Sequence, residues 1–352
     1  MLFEKVPLIN EISSPGRRGV LPPRATDGER RAARAKVPAN LRRKTAAALP
    51  EVSELDAMRH FTRLSQKNYS IDAQFYPLGS CTMKYNPRIN EKVAAMPGFA
   101  RMHPMQENAD IQGSLRIFYD LQEILKQVLG LGGVTLCPAA GAQGEFAGMA
   151  IIRAYHRDNN TGRDEVIIPD SAHGTNPASA ALAGFKVREV KSGADGRVDM
   201  NALDAAINEK TAAIMLTNPN TCGLFEKDIK EIARRIHAAG GLLYYDGANL
   251  NAIVGRARPG DMGFDVVHMN LHKTFSTPHG GGGPGAGPVG VSDRLINYLP
   301  KPHVRLVGKQ YEFYSPDSSI GKLLAFHANA GVIVRALAYA MAQGGKGLWE
   351  VA

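Results

Sequence analysis

The stretch LLYYDGANLNAIVGRARPGDMGFDVVHMNLHKTF, residues 242–275, contains two short apolar runs, each followed by polar residues. The first run ends in Asp246, and the second leads to His272 and Lys273. Short apolar runs that are bounded by glycine and polar residues are typical of buried strands. The pattern therefore predicts two strands of one sheet, with a carboxylate after the first and a lysine after the second.

Further strand-like runs alternate with helical stretches on both sides of this segment. The runs are VIIP at 166–169, KVREV at 186–190, AAIMLT at 212–217 and PVGV at 288–291, and helices are predicted over 145–156, 200–207 and 227–239. Such alternation indicates an α/β domain with a mostly parallel sheet that is covered by helices on both faces. Ligands bind beyond the carboxyl ends of the strands in these sheets, so Asp246 and Lys273 are candidate site residues.

Composition excludes several classes of protein. Hydrophobic residues make up 44% and charged residues 21% of the 352 positions, as in soluble globular proteins. The three cysteines, Cys81, Cys137 and Cys222, are too widely spaced for a disulfide framework or a CxxC metal site, so we expect no metal and a reducing, cytoplasmic location. The apolar stretch 323–341 contains His327, Asn329 and Arg335 and is expected to be buried rather than to span a membrane.

The formal charge of +9 is concentrated in residues 16–44. A basic segment of this kind is compatible with nucleic-acid binding, but no aromatic residues are interleaved to stack on bases. We expect an extended arm that lies on an acidic surface of a partner subunit, and no nucleic-acid partner.

Three more segments carry candidate ligand-binding residues. The turn AAGAQGE at 139–145 precedes a helix, and free backbone N–H groups there can hold a phosphate. His173, in SAHGTNPAS, can stack on an aromatic ring or satisfy the loop backbone, and Asn218, in TNPNTCG, can bond a ring hydroxyl or form a turn. The candidates in the phosphate-binding turn are Ala140, Gly141, Ala142 and Gln143.

A phosphate-binding turn, a histidine, an asparagine, an aspartate and a lysine in this order fit the needs of pyridoxal 5'-phosphate. The cofactor needs a helix N-terminus for its phosphate, a carboxylate for its pyridine nitrogen and a lysine for its aldehyde. The order and the 27-residue interval from Asp246 to Lys273 resemble the aspartate-aminotransferase-like, fold type I superfamily.

Longer strings resemble one family within that superfamily, the glycine cleavage P-proteins, which are decarboxylating glycine dehydrogenases. The strings are YPLGSCTMKYNP at 76–87, PAAGAQGE at 138–145, DSAHGTNPASA at 170–180, TNPNTCGLFE at 217–226, YYDGANLNAIVG at 244–255 and NLHKTFSTPHGGGGPGAGP at 270–288. The N-terminal FEK and SPGRRG elements are similar to the cofactor-bearing subunit of the split form of this enzyme.

The resemblance implies a fold type I large domain with a mostly parallel, seven-stranded sheet. It also implies that the aminomethyl group left after glycine decarboxylation passes to the lipoyl arm of the H-protein, in an α2β2 assembly with P-protein subunit 1. Lys273 would be the Schiff-base lysine, Asp246 the partner of the pyridine nitrogen and His173 the stacking residue. Ala248 would contact the opposite ring face, and Asn218 and His272 would contribute further contacts. The site would also draw on the loop residues Ser80, Cys81, Thr82, Lys84 and Tyr85, although a buried Cys81 without a chemical role is the better expectation.

The sequence predicts four segments: an extended basic arm over 1–50, a helical and loop segment over 51–130, the cofactor-binding domain over 131–320, and a helix over 321–343 that begins the last segment, 321–352. The smaller C-terminal domain of fold type I enzymes is expected to be missing. Two alternatives remain: another fold type I enzyme, such as an aminotransferase, a cysteine desulfurase or an amino-acid decarboxylase, and an inactive assembly subunit.

Overall fold

The computed structural model describes residues 5–68, 70, 72–73, 85–103, 106–278 and 285–352. The chain divides into two compact units, Met1–Pro77 and Leu78–Ala352. Among the described residues, no helix is both long enough and apolar enough to cross a membrane.

The first unit contains helices α1 (Asp27–Ala35) and α2 (Glu54–Ser65) and a short 3-10 turn at Ala39–Leu41. Helix α1 begins with a capping box, in which the Thr26 hydroxyl accepts a hydrogen bond from Glu29 N and the Glu29 carboxylate accepts one from Thr26 N at 2.7 Å. These reciprocal bonds satisfy backbone donors at the start of the helix. The nine residues of α1, about two and a half turns, thus depart from the extended arm predicted over 1–50.

The second unit is an α/β fold, as predicted. Its helices are α3 (Arg88–Ala94), α4 (Pro97–Ala100), α5 (Gln112–Leu129), α6 (Gly141–Asp158), α7 (Thr175–Leu182), α8 (Met200–Ala206), α9 (Ile229–Ala238), α10 (Leu271–Thr274) and α11 (Ala330–Val351). Its strands are β1 (Gly133–Thr135), β2 (Glu165–Pro169), β3 (Lys186–Val190), β4 (Thr211–Thr217), β5 (Leu242–Gly247), β6 (Val266–Met269), β7 (Val289–Val291), β8 (His303–Val307) and β9 (Gln310–Tyr314).

Seven of these strands form one sheet in the order β1-β7-β6-β5-β4-β2-β3. The pairs from β6 through β3 are parallel, and β7 runs antiparallel to both of its neighbours. The predicted mostly parallel, seven-stranded sheet is therefore confirmed. The antiparallel hairpin β8–β9 stands apart from this sheet and was not predicted.

Helices cover both faces of the sheet, because successive strand residues point to opposite sides. In β5, Leu243 and Tyr245 belong to one buried cluster with α5, α9 and α11, whereas Leu242 and Tyr244 belong to a second cluster with α6 and α7. Fully buried strands of this kind read as continuous apolar runs, which explains why the runs in the sequence were reliable strand signals.

Helix α11 begins at Ala330, so the prediction of a helix from residue 321 was wrong. Gly321 has a φ of +98°, a left-handed conformation that does not start a helix. Asn329, directly before α11, donates a hydrogen bond to Gly285 O and a longer one of 3.4 Å to Ala139 O. Residues 321–329 are thus a loop, and Asn329 at its end contacts the segments that contain Ala139 and Gly285.

Candidate active site

Parallel pairing brings the polar residues that follow β4, β5 and β6 to one edge of the sheet. Asp246 is paired in register with Thr217 of β4 and with His268 of β6. The N-terminus of α6 and the start of α7 border the same edge through contacts to Asn270 and Asp246. The structure therefore gathers residues from five sequence segments, as the strand-end argument predicts.

Asp246 is the central carboxylate of this edge and is only 2% exposed. Its Oδ2 accepts a hydrogen bond of 2.8 Å from Asn176 Nδ2, and its Oδ1 accepts one of 2.9 Å from Ala248 N. Burial alone raises the pKa of Asp246, but the charge of His268, these two hydrogen bonds and the charge of Lys273 outweigh it and hold the pKa below 3.8. Asp246 is thus a buried carboxylate that stays ionised at neutral pH.

A second buried carboxylate, Glu145 on α6, lies beside Asp246. It accepts hydrogen bonds from Thr175 Oγ1 at 2.8 Å, Ser179 Oγ at 3.2 Å and Asn176 Nδ2 at 3.3 Å. Asn176, which is fully buried, therefore bridges the two carboxylates with one amide group. This bridge fixes α6 and α7 relative to the end of β5.

His173 lies at the exposed end of the same network. Its Nδ1 is 2.7 Å from Thr175 Oγ1, and Thr175 in turn donates to Glu145. The ring is exposed to solvent, so its faces are open to a planar ligand. The geometry orients the ring but does not test its predicted stacking role, which stays a prediction.

Tyr244 and His268 lie beneath Asp246 in the interior of the sheet. The Tyr244 hydroxyl is 2.6 Å from His268 Nδ1, and His268 Nε2 is 3.6 Å from Asp246 Oδ1. Burial raises the pKa of the Tyr244 hydroxyl well above 10, and the charges of Asp246 and Glu145 add to this increase. Tyr244 is therefore a phenol throughout the physiological range.

Lys273 lies on the single turn α10, whose four residues are all buried. Lys273 is 8% exposed, and its charge contributes to the lowered pKa of Asp246. The turn is anchored by bonds from Lys273 N to Asn270 O at 3.0 Å and from Thr274 Oγ1 to Asn251 Oδ1 at 2.9 Å. His272, the other predicted residue of this turn, is 5% exposed, and its Nε2 is 3.4 Å from Asn270 Nδ2.

The N-terminus of α6 provides the predicted phosphate-binding turn. The first helical hydrogen bond runs from Gly144 N to Ala140 O at 2.9 Å, so the N–H groups of Gly141, Ala142 and Gln143 precede the regular pattern. An added Cβ at Gly141 would lie 2.7 Å from Asn270 Nδ2, which shows that this turn is in contact with the segment that carries Lys273. A helix N-terminus in this position favours an anion.

Two predicted residues have side chains that the protein itself uses. Gln143 accepts from Ala139 N at 2.7 Å and donates to Leu323 O at 3.1 Å, so only its backbone N–H is available for a phosphate. Asn218 is fully buried, and its Oδ1 accepts from Glu226 N at 2.8 Å. These contacts give Asn218 a structural role in its loop, and its predicted contact with a cofactor stays untested.

Sequence reasoning missed five residues of the site. A histidine in an otherwise apolar strand is a visible signal at His268. Thr175 and Asn176, which open α7, carry no comparable signal in the sequence. Their partners became apparent only in the fold, because the interacting residues are 22 to 101 positions apart in the chain. The five residues are Glu145, Thr175, Asn176, Tyr244 and His268.

Some predicted residues lie outside the part of the chain that the structure describes. Ser80, Cys81, Thr82 and Lys84 of the 76–87 segment, and His279 with the glycines 280–283, are not among the described residues. Tyr85 is described and is 52% exposed.

Comparison with known proteins identifies the family. Residues 31–314 match the sequence family "Glycine cleavage system P-protein". The chain is 56% identical over 349 residues to a probable glycine dehydrogenase (decarboxylating) subunit 2 of Thermococcus kodakarensis, covering 98% of the chain and 69% of that protein. It is 60% identical over 311 residues to a protein of the same name from Staphylococcus haemolyticus, covering 88% of the chain and 63% of the relative.

Solved structures show the same fold at lower identity. A glycine decarboxylase (P-protein) of the glycine cleavage system, in inhibitor-bound form, superimposes with a TM-score of 0.76 at 20% identity, covering 94% of the chain and 79% of that structure. A cysteine desulfurase from Escherichia coli gives a TM-score of 0.56 at 15% identity over 80% of the chain and 74% of its own. These likenesses concern the fold, whereas the sequence matches are far stronger, and the chain accordingly belongs to the glycine cleavage system P-protein family.

Proposed function

We propose that this chain is the cofactor-bearing subunit of a split glycine dehydrogenase (decarboxylating). It would bind pyridoxal 5'-phosphate, remove carbon dioxide from glycine and pass the remaining aminomethyl group to the lipoyl arm of the H-protein. The observation that carries the proposal is the convergence of a buried ionised Asp246, a buried Lys273 and a helix N-terminus at one sheet edge. The relatives named glycine dehydrogenase subunit 2 support the choice of substrate.

The residues at this edge fit the cofactor by their chemistry. Two buried polar atoms, Asn270 Oδ1 and Thr277 Oγ1, have no hydrogen-bond partner within the part of the chain that the structure describes. Buried polar atoms are almost always paired, so these two atoms, on the segment that carries Lys273, are available to a polar ligand. A carboxylate, an amine and a set of backbone N–H groups are the complement that pyridoxal phosphate requires.

The cofactor, when bound, supplies an aldehyde that combines with amines and a conjugated ring that accepts the electron pair of the bond being broken. Lys273 is the amine that would hold the aldehyde carbon before glycine takes its place. Asp246 would keep a proton on the ring nitrogen, because its ionised carboxylate is fixed by Asn176 and by the backbone of Ala248. The N–H groups of Gly141, Ala142 and Gln143, with Ala140 before them, would bind the phosphate.

The remaining residues would confine the ring between two surfaces. His173 would lie against one face of the ring, oriented by its contact with Thr175. Ala248, which is half-buried and directly follows the strand end, would lie against the other face. His272 is placed beside Asn270, where it would help to form the wall next to Lys273.

The assembly proposal follows from the split nature of the named relatives. A chain that resembles subunit 2 requires a subunit 1, and we propose an α2β2 assembly in the cytoplasm. The catalysed reaction also requires the lipoylated H-protein as acceptor. Size-exclusion chromatography of the chain with its partner subunit tests the first point, and aminomethyl transfer from labelled glycine to the H-protein tests the second.

The decisive experiment is the visible absorption spectrum of the chain reconstituted with pyridoxal phosphate and its partner subunit, before and after borohydride. We expect a reducible band, with the label mapped by mass spectrometry to Lys273. Lys273→Ala should lose the band while retaining its circular dichroism spectrum, and Lys322→Ala, an exposed lysine on the 321–329 loop, serves as the matched control. A Lys273→Ala protein with the wild-type reducible band would refute the assignment.

Asp246→Ala separates cofactor binding from chemistry. It should reduce glycine decarboxylation far more than cofactor occupancy, because phosphate and aldehyde contacts remain while the partner of the ring nitrogen is lost. Equal losses of both would contradict the role given to Asp246. Exchange of label between carbon dioxide and glycine, compared with the same assay on alanine and cysteine, distinguishes the glycine enzyme from another fold type I activity.

A further inference from the structure

The Tyr244–His268–Asp246 chain is a buried set of contacts that the proposed reaction does not by itself explain. Tyr244 is fully buried, and His268 and Asp246 are 1% and 2% exposed. Tyr244 is paired with Met215 of β4 and Val266 of β6, so its hydroxyl is a polar group between apolar neighbours. Polar groups in the interior of a sheet are costly unless each of them has a partner.

The geometry favours a proton on the Nε2 atom of His268. The Tyr244 hydroxyl, which its raised pKa keeps protonated, is 2.6 Å from His268 Nδ1 and holds the ring in place. Nε2 faces Asp246 Oδ1 at 3.6 Å, and the ionised carboxylate favours a ring proton on that nitrogen. The opposite tautomer would set the Nε2 lone pair against an ionised carboxylate, which is repulsive.

Asp246 has two hydrogen-bond donors besides His268, and both are neutral amide groups. Ala248 N donates at 2.9 Å to Oδ1, the oxygen that also faces His268. Asn176 donates to Asp246 Oδ2 and not to the oxygen that faces His268. One carboxylate oxygen of Glu145, one of Asp246 and a ring nitrogen of His268 lie within 4.8 Å of one another. A second carboxylate is therefore close to Asp246. The charge of Lys273 also contributes to the lowered pKa of Asp246.

We propose that His268, oriented by Tyr244, is a positioning residue that keeps Asp246 ionised toward the cofactor ring nitrogen. The inference rests on the proposed function, because it takes Asp246 as the partner of that nitrogen. Partners of this kind, which orient a ligand-binding group from behind, fix tautomers and tune basicity at many sites. Without the N–H of His268, the shared proton moves from the ring nitrogen onto Asp246.

The test measures the protonation of the ring nitrogen directly. Wild type and variants are reconstituted, with the partner subunit, using pyridoxal phosphate labelled with ¹⁵N in the ring, and the ¹⁵N chemical shift is recorded at one pH near neutrality. We expect His268→Leu to move the signal to the unprotonated position while the borohydride-reducible adduct at Lys273 is retained. A tenfold shift of the proton equilibrium corresponds to about 1.4 kcal/mol.

Graded variants separate this role from a purely structural one. His268→Gln, whose amide can again face Asp246 with an N–H, should recover part of the protonated signal, and Tyr244→Phe should lose a smaller part. His156→Leu is the matched control, because His156 is a buried histidine that bonds Ala212 O and Thr161 far from this edge. It should keep the wild-type signal whatever stability it loses.

Asp246→Asn distinguishes the two levels of the argument. If it keeps the wild-type ¹⁵N signal, Asp246 is not the partner of the ring nitrogen, and the proposed function of that residue fails. If Asp246→Asn loses the ring proton and His268→Leu does not, only the inference about His268 is overturned. If His268→Leu binds no cofactor, the other two variants decide. A wild-type ¹⁵N signal in both His268→Gln and Tyr244→Phe would also overturn the inference about His268.

Discussion

Replacement of Asn176 by alanine tests the electrostatic core of the site without any cofactor. The fully buried amide donates to Asp246 at 2.8 Å and to Glu145 at 3.3 Å, and it is the shared donor between two buried carboxylates. Hydrogen bonds to charged groups contribute about 1.5–3 kcal/mol each, and the longer bond contributes less, so the variant should lose about 2–4 kcal/mol. The loss includes leaving Oδ2 of Asp246, a carboxylate that is 2% exposed, without its side-chain donor.

The assay is urea unfolding of the cofactor-free chain, followed by far-ultraviolet circular dichroism. Asn159→Ala is the control, because Asn159 is exposed and donates a similar bond of 2.8 Å to Tyr155 O, so its loss should change stability by no more than about 0.5 kcal/mol. Equal costs for the two variants would refute the reasoning, since they would mean that the buried carboxylates do not depend on Asn176.

The cost of Asn176→Ala should also depend on pH in a defined direction. The pKa of Asp246 is lowered in the folded chain, so the stabilisation of its ionised form is present above its ordinary value of 3.8. It is lost as the pH falls from there through the lower folded value. The difference between wild type and variant should therefore be full at neutral pH and shrink only in that acidic range.

Two further predictions concern packing and a buried histidine. Gly247→Ala would place a Cβ 1.9 Å from His268 O and should lower the free energy of unfolding by about 3 kcal/mol or prevent folding. In Gly98→Ala, the control, the added Cβ meets nothing within 4 Å, so stability should hardly change. Equal thermal midpoints of the two variants would contradict this prediction. Burial, aided by the charge of Lys126, lowers the pKa of His303 to about 4. Since the unfolded chain then binds the proton first, stability should fall by about 3 kcal/mol between pH 6.5 and 4, and a His303→Phe chain that retains this slope would argue against it.

The sequence predicted the sheet well because its central strands are buried on both faces. Apolar runs such as those that end in Thr217, Asp246 and Met269 have no other stable environment, and their alternation with helices leaves few topologies. Within the predicted helical and loop segment 51–130, helix α5 ends at Leu129, because Gly130 follows it in a left-handed conformation that stops the helix. The same local logic failed at α1 and α11, where capping and loop contacts decide the boundaries.

Site residues were predictable where a motif carries its own chemistry. Asp246, Lys273, His173 and the turn before α6 were found because each follows a strand or opens a helix, and the fold brings them to one edge. Their roles toward a cofactor remain proposals, since the sequence motif names a residue type and not its partner.

The sequence by itself determined the α/β fold, the family and the residues that bear reactive groups, because these follow from periodicity and from motifs within short segments. Only the tertiary structure decided how those groups are held. Asn176 bridges Glu145 and Asp246, and Tyr244 reaches His268, across separations of 24 to 70 residues that no local pattern encodes. The ionisation of Asp246 depends on those distances and on burial, and both exist only once the strands and helices have packed together.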